Sequence, residues 1–266
     1  MIQDYPLLPE RIPDAADLKS GHYVADFART REELEEVQRL RFRIFNLELG
    51  EGLESSFETG RDIDPFDDQC HHLIIRDDRN GELVGTYRMQ SREMAGRGGH
   101  GFYSDGEYDL GALPSEMLDQ SLELGRACIA QHHRSGRVLF LLWRGLFYYL
   151  QANGLRYMFG CCSLNSQDPN EGWALYTRLQ RSGNLDRTRL VPARPKCACP
   201  PVPLDEERVA GSLVPRLMGL YIDYGAVICS EPAIDREFKT IDYLALFDLK
   251  TLPPKLMKVF KKDMAL

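Results

Sequence analysis

Two residues near the middle of the chain carry the side chains needed for proton transfer beside an anion. Glu123 and Arg126 lie in a segment, residues 121–130, whose apolar positions alternate as in a strand. A carboxylate can take a proton from an amine nucleophile, and a guanidinium can bind an anion beside it. Side chains three apart on a strand face opposite sides unless a bulge intervenes, and Gly125 suits a bulge. A structural ion pair is the alternative interpretation of Glu123.

A short basic turn follows this strand and consists of Arg134, Ser135, Gly136 and Arg137. The apolar run Val138–Leu150 after it predicts a long helix, although one shorter than the roughly 20 residues that cross a bilayer. Helix N-terminal amides favour phosphate, so the turn predicts a site for a phosphopantetheine arm. A solvated loop is the alternative interpretation.

An amphipathic helix is predicted upstream, beginning after Thr30. Thr30 and Glu33 match a capping box, in which each side chain satisfies an amide of the other residue. The helix places Arg41 and Phe45 one turn apart and should end before Gly50. Its buried face is predicted to consist of Leu34, Val37, Leu40 and Ile44.

A β-hairpin is predicted next. The segments Cys70–Arg76 and Glu82–Gln90 are strand-like and flank Asn80-Gly81, a strong hairpin turn signal. The preceding loop, Glu51–Asp68, is rich in glycine and acidic residues, and we expect it to cover the active face.

Later segments alternate between strand and helix patterns. The strand Leu122–Ala130, the long helix and a strand at Arg156–Leu164 match a β-α-β unit, and a helix is predicted at Asn170–Arg181. The segment Arg92–Leu113 predicts a long loop with a short strand near Gly101–Tyr103.

The chain is predicted to form one domain over residues 22–250, ending in a strand at Ile241–Leu249. An irregular lead-in (1–21) precedes the domain, and an insertion interrupts it at about 184–211. The tail (251–266) mixes lysines with apolar residues. Its pattern suits peripheral contact with the inner face of a membrane, or else a packed or frayed terminal helix.

Composition bounds the class of protein. The 266 residues carry a formal charge of −7 and are 43% hydrophobic, which is typical of a folded globular protein and argues against a general nucleic-acid binder. Seven cysteines and no signal-peptide pattern predict a reduced, cytoplasmic location. The pairs Cys161-Cys162 and Cys197/Cys199 lack the spacing of a structural zinc site, so no metal is expected.

Several of these residues appear in an order that resembles a known family, the acyl-homoserine-lactone synthases. The shared features are Arg41 with Phe45, the Asp64-Pro65-Phe66-Asp67 run, Arg88 on a hairpin strand, and Glu123-Leu124-Gly125-Arg126. The synthases usually have serine where this chain has Gly125.

A closer resemblance is to the bacterial hemolysin-like acyltransferases, including the ornithine-acyl-carrier-protein N-acyltransferases. It covers about residues 22–250 and is carried by residues 214–249, with Tyr-x-x-x-Gly-Ala, Glu-Pro, Asp-x-x-Phe and Thr-x-Asp motifs. The resemblance implies an α/β GNAT-like fold, with a central mixed, mostly antiparallel sheet flanked by helices.

The resemblance also implies an activity: transfer of a 3-hydroxy fatty acyl chain from acyl carrier protein to the α-amine of an amino acid such as ornithine. The partners would be acyl carrier protein, with acyl-CoA as the other candidate donor, and the amino-acid acceptor; no cofactor is implied. A signal synthase that lactonises its product and a non-catalytic acyl-binding or membrane-associated protein stay open as alternatives.

Roles follow for individual residues as expectations. Glu123 would be the base, directly or through water. Arg41, Arg88 and Arg126 would organise carboxylates and grip the carboxylate of the acceptor. The acidic residues of the Asp64–Asp67 run would suit a cationic amino acid, unless they only cap their own loop. Phe45 and Phe66 would line a substrate pocket, unless they are plain core.

Overall fold

The fold is built on one sheet of nine strands, counted over the residues that the computed structural model describes, 5–15, 18–134 and 136–254. The strands are β1 (Lys19–Ser20), β2 (Tyr23–Phe27), β3 (His71–Asp77), β4 (Glu82–Ser91), β5 (Ser121–Ile129), β6 (Tyr157–Leu164), β7 (Val227–Ile228), β8 (Ala233–Asp235) and β9 (Thr240–Asp248). They lie in the order β1-β2-β3-β4-β5-β6-β9-β7, with β8 paired to β9.

Helices lie between these strands. They are α1 (Arg31–Phe42), α2 (Ser56–Thr59), α3 (Arg92–Gly98), α4 (Ser115–Asp119), α5 (Gly136–Ala152), α6 (Pro169–Arg181), α7 (Glu206–Gly211) and α8 (Arg216–Asp223). A π-helical segment, Arg43–Glu48, continues α1 and ends before Gly50, as predicted.

The sheet is mixed and mostly antiparallel, which confirms the predicted architecture. Within the described strands, only β5 and β6 run parallel, and α5 connects them as the predicted β-α-β crossover. A parallel pair needs such a long connection, because a tight turn can join only antiparallel neighbours.

Helices cover both faces of the sheet, so β3 is buried on each side. Leu73 and Ile75 belong to the core under α5, whereas Ile74 packs with Val37 and Leu40 of α1. Successive side chains of a strand point to opposite faces. This explains the nearly continuous apolar run in β3.

The capping box at the start of α1 forms as predicted. The Glu33 amide donates to Thr30 Oγ1 at 3.2 Å, and the Thr30 amide donates to Glu33 Oε2 at 3.3 Å. The predicted helix face is also correct, since Leu34, Val37, Leu40 and Ile44 are all buried.

The prediction for Arg92–Leu113 was wrong. Residues Arg92–Gly98 form α3, and Tyr103–Gly106 form a 3₁₀ turn where a strand was expected near Gly101–Tyr103. Ser91 is the reason for the helix: its hydroxyl accepts from the Met94 amide at 3.3 Å and so caps α3.

The segment predicted as an insertion packs on the domain. Arg194 donates to Asp105 Oδ1 at 2.7 Å, and Val191 forms a bridge with Ser230. The amphipathic tail lies outside the described residues from position 255 onward. None of the helices within the described ranges is both long and apolar enough to cross a membrane.

Gly160 in β6 allows β5 and β6 to approach closely. A Cβ atom at this position would overlap the carbonyl oxygen of Leu124, which belongs to the backbone and cannot move alone. Only glycine therefore fits here.

We expect Gly160→Ala to lower the free energy of unfolding by about 3 kcal/mol, because the two strands must be pushed apart. Urea denaturation measures the change. Gly96→Ala in α3 is the matched control, since a Cβ there meets nothing within 4 Å and alanine favours helix. Equal stabilities of the two variants would contradict the close-approach explanation.

Candidate active site

The central feature of the site is a gap between β5 and β6. Residues 121–123 pair in parallel with residues 157–159, and the pairing ends there. Beyond this point a cavity of about 350 Å³ lies between the strands, lined by 124–127 of β5 and 160–163 of β6. Backbone groups facing this gap have no ladder partner across it, so they are available to a bound chain.

One wall of the cavity is apolar. Its volume lies in the range of small-molecule pockets, and its aromatic and aliphatic side chains suit a hydrocarbon chain. The apolar lining includes Tyr87, Leu124, Trp143, Met158, Met218 and Phe247.

A bulge in β5 turns Arg126 toward Arg88. The register with β4 shifts between Thr86 and Arg88, and Arg126 has a φ of 50°, in the left-handed region. The guanidiniums of Arg88 and Arg126 then both donate to Asp64 Oδ2, at 2.5 Å and 2.8 Å respectively. A bulge is present in β5 as expected, but it lies at Arg126 and Ala127, because Gly125 itself pairs with Arg88.

Arg41 is fully buried in a second part of the same ionic network. Its Nε donates to Asp62 at 2.8 Å, and its two terminal nitrogens donate to Asp67 at 2.8 Å and 2.9 Å. Arg88 also contacts Asp67, at 3.2 Å. Arg41 is therefore engaged by side chains of its own protein and does not line the cavity.

The network holds Asp64 and Asp67 ionised. Burial alone would raise the pKa of Asp64, but the guanidiniums around it, above all that of Arg88, hold the pKa well below its usual range. Burial opposes ionisation of Asp67 in the same way, and Arg41 lowers its pKa below the ordinary value. Both carboxylates, predicted to suit a cationic amino acid, are thus neutralised by arginines of the chain.

Glu123 is buried and anchors the 3₁₀ turn after Phe102. Its carboxylate accepts hydrogen bonds from the Tyr103 amide at 2.9 Å, the Ser104 amide at 2.7 Å and Gln90 Nε2 at 2.5 Å. It does not line the large cavity, but it lines an adjoining recess of about 10 Å³ together with Arg88 and Tyr103.

The two predicted pocket aromatics lie in different places. Phe45 lines the cavity and packs edge-on against Phe238, with ring centroids 6.1 Å apart. Phe66 lies outside the cavity lining, 5.6 Å from the Arg88 guanidinium and 5.4 Å from the Tyr103 ring.

The basic turn begins α5, away from the cavity lining. Arg134 donates to Glu48 Oε2 at 2.8 Å and to the Ile129 carbonyl at 3.0 Å. Gly136 is the first residue of α5 and Arg137 is exposed in its first turn. Ser135 lies outside the described residues.

Sequence reasoning missed an acidic wall of the cavity formed by Glu51, Asp235 and Asp242. Burial raises the pKa of Asp242 to about 6, and burial together with the charge of Asp242 raises the pKa of Glu51 to about 7. The sequence did point to two of these residues, because Asp235 and Asp242 belong to the Asp-x-x-Phe and Thr-x-Asp motifs that carry the family resemblance.

Tyr103 was missed as well. Its ring lies 5.1 Å from the Arg126 guanidinium and 5.4 Å from that of Arg88, and its hydroxyl donates to Asp235 Oδ2 at 3.2 Å. The segment was predicted to be a long loop with a short strand near Gly101–Tyr103, and neither element gave a reason to select this tyrosine.

We expect Asp67→Asn to lower the free energy of unfolding by about 3–5 kcal/mol, because it leaves the buried Arg41 guanidinium undercompensated. Urea denaturation tests this. The control is Asp68→Asn, which removes an exposed ion pair with Arg31 and should cost less than about 1 kcal/mol. Similar costs for both variants would show that the network contributes little.

The same network predicts a pH dependence. The pKa values of Asp64 and Asp67 are lowered on folding, so their stabilisation is complete above an unfolded pKa of about 4 and declines as pH falls below it. Wild-type stability should therefore fall more steeply between about pH 5 and pH 2 than that of Asp67→Asn. Parallel curves from thermal melts across this range would contradict the assignment.

One family model agrees with the GNAT-like fold. The family model described as an acetyltransferase (GNAT) domain matches residues 40–144. A solved structure, FeeM, an N-acyl amino acid synthase from uncultured soil microbes, shares a TM-score of 0.48 at 12% identity, covering 87% of this chain and 93% of that chain. A likeness at that distance carries no argument for either the fold or the chemistry.

Two curated relatives align over nearly the whole chain, and each is named an L-ornithine N(alpha)-acyltransferase. The protein of Rhizobium meliloti (strain 1021) is 29% identical over 248 residues, covering 89% of this chain and 83% of the relative. The protein of Brucella abortus (strain 2308) is 30% identical over 251 residues, covering 90% and 89%. The resemblance found in the sequence is thereby confirmed, and the chain belongs to the L-ornithine N(alpha)-acyltransferase family, as an N-acyltransferase with a GNAT domain.

Proposed function

We propose that this enzyme transfers a 3-hydroxy fatty acyl chain from acyl carrier protein to the α-amine of ornithine, as the first step of aminolipid synthesis. The observation that carries the proposal is the cavity between β5 and β6, which joins an apolar wall to an ionic one. An acyl chain suits the first wall and a charged amino acid the second. The names of the relatives support ornithine as the acceptor.

The pantetheine arm of the donor would lie in the gap between the two strands. Amides of the arm can bond with backbone groups that face the gap, and an amide aimed at the thioester oxygen would stabilise the developing negative charge. The amine attacks the thioester carbon, the new C–N bond forms, and the C–S bond breaks to release the thiol.

Phosphate of the arm would meet the start of α5, where Arg134 and Arg137 lie. Helix N-terminal amides and arginines both favour an anion. Arg134 now binds Glu48, so phosphate binding would exchange one anion for another.

The acceptor carboxylate would bind Arg126. This guanidinium lines the cavity, and its Nε has no hydrogen-bond partner among the described residues, although Asp62 Oδ2 lies 3.5 Å away. A buried donor without a partner costs free energy that a substrate carboxylate can recover.

Glu123 would accept the proton of the amine through one water. The recess between Glu123 and the cavity has a volume of about 10 Å³, close to the minimum that holds one water. Arg88 and Tyr103 line both the recess and the cavity, so the recess adjoins the proposed site of reaction.

The proposed reaction is tested with acyl carrier protein loaded with 3-hydroxy fatty acid, a panel of amino acids, and mass spectrometry of the products. We expect N-acylornithine as the main product, and a higher kcat/KM with the carrier-protein donor than with the same acyl-CoA. A lactone would instead indicate a signal synthase, and absence of any product would overturn the proposed reaction. Equal use of acyl-CoA would overturn the donor assignment.

The base is tested with Glu123→Gln. We expect kcat to fall by about 10²- to 10⁴-fold, because the amide cannot take the proton. Circular dichroism checks that the variant is folded, since Glu123 also anchors the Tyr103 turn. Glu116→Gln, on the exposed side of α4, serves as control. Unchanged turnover in Glu123→Gln would rule out this role.

A further inference from the structure

The cavity has charges of opposite sign on the two sides of Tyr103. Arg126 lies 5.1 Å from the Tyr103 ring, and Asp235 accepts from the Tyr103 hydroxyl at 3.2 Å. Asp242 and Glu51 line the cavity with Asp235. A ligand that spans Tyr103 would therefore meet a guanidinium at one end and carboxyl groups at the other.

A further carboxyl group lies behind this acidic wall. Glu107 is only 6% exposed, and its Oε1 has no hydrogen-bond partner among the described residues. Ligand atoms of Glu107, Cys161 and Asp242 lie within 4.8 Å of one another, and the last two residues line the cavity. An unpartnered oxygen in so buried a position is a vacant acceptor directly behind the cavity-lining residues Cys161 and Asp242.

These carboxyl groups differ from Asp64 and Asp67 in their partners. Asp64 and Asp67 are neutralised by arginines at 2.5–3.2 Å. Arg126, which lines the cavity with the acidic wall, is already bonded to Asp64. Burial raises the pKa of Glu107 well above its usual value, and the charge of Asp242 adds to the effect. Among the described residues, no arginine or lysine forms an ion pair with Glu107.

We propose that Asp235, Asp242 and Glu107 bind the side-chain ammonium of the amino-acid acceptor and so select a diamino acid. The inference rests on the proposed N-acylation of ornithine, and it assigns the cation site to the acidic wall instead of to Asp64 and Asp67. The ammonium hydrogens can bond with carboxyl oxygens of Glu107 and Asp242, which lie within 4.8 Å of each other, while Asp235 lines the same cavity. The arrangement also suits the acceptor as a whole, with its carboxylate on Arg126 and its two ends on opposite sides of Tyr103.

A divalent metal is the competing occupant of Glu107, Cys161 and Asp242. The ammonium fits better because the cluster opens on the cavity that the proposed reaction fills, and because Asp235 and Glu51 extend the acidic surface along the wall. A compact metal site would not use these additional residues.

The test compares ornithine with norvaline, which has the same carbon chain without the side-chain amine. Wild-type enzyme should prefer ornithine, and Asp242→Asn should lower the ratio of the two kcat/KM values by about 10- to 100-fold. Asp235→Asn, at the partly exposed edge of the wall, should lower the same ratio. This second variant keeps the test valid if Asp242→Asn, at a buried position, does not fold. Asp223→Asn, on the surface of α8, is the control.

Each outcome is decisive. A preserved ornithine preference in both folded variants overturns the cation site while leaving the proposed function intact. Wild-type enzyme that acylates neither amino acid overturns the proposed function and this inference together. Stoichiometric metal in the purified protein by elemental analysis, with activity lost on chelation, overturns the ammonium assignment in favour of a metal.

Discussion

The structure depends on a buried network in which three guanidiniums face three carboxylates. Arg41 comes from α1, Arg88 from β4 and Arg126 from β5, and their partners Asp62, Asp64 and Asp67 all belong to the loop before β3. Moving any one of these charges out of water is costly, so each is tolerated only while its partners are in place. The network therefore fixes that loop, one helix and two strands relative to one another at the edge of the cavity.

The network and the acidic wall show how position decides what a carboxyl group can do. Asp64 is surrounded by arginines and stays ionised, so it serves the fold. Asp242, also buried, forms no ion pair with an arginine of the described ranges, and burial raises its pKa to about 6. Arg126 belongs to both regions: it holds Asp64 and also lines the cavity. The bulge in β5 makes this double contact possible.

Periodicity and local signals in the sequence were enough to predict most elements. The Thr30 capping box, the Asn80-Gly81 turn and the apolar run of α5 each depend on residues close together in the chain, and the structure confirms all three. The failure at Arg92–Leu113 arose because its glycine content concealed a helix that Ser91 caps. The glycine-rich composition outweighed a single capping residue in that prediction.

The candidate site was only partly predictable, because it depends on contacts between distant segments. Sequence alone determined the residue types, their order and the family resemblance, since motifs such as Glu123–Arg126 are visible without coordinates. Tertiary structure decided which charges neutralise one another and which face the cavity. Asp64 and Arg126 are 62 positions apart in the sequence, yet a hydrogen bond joins their side chains. No local pattern can show that such a pair meets, because burial and the strand bulge set its partners.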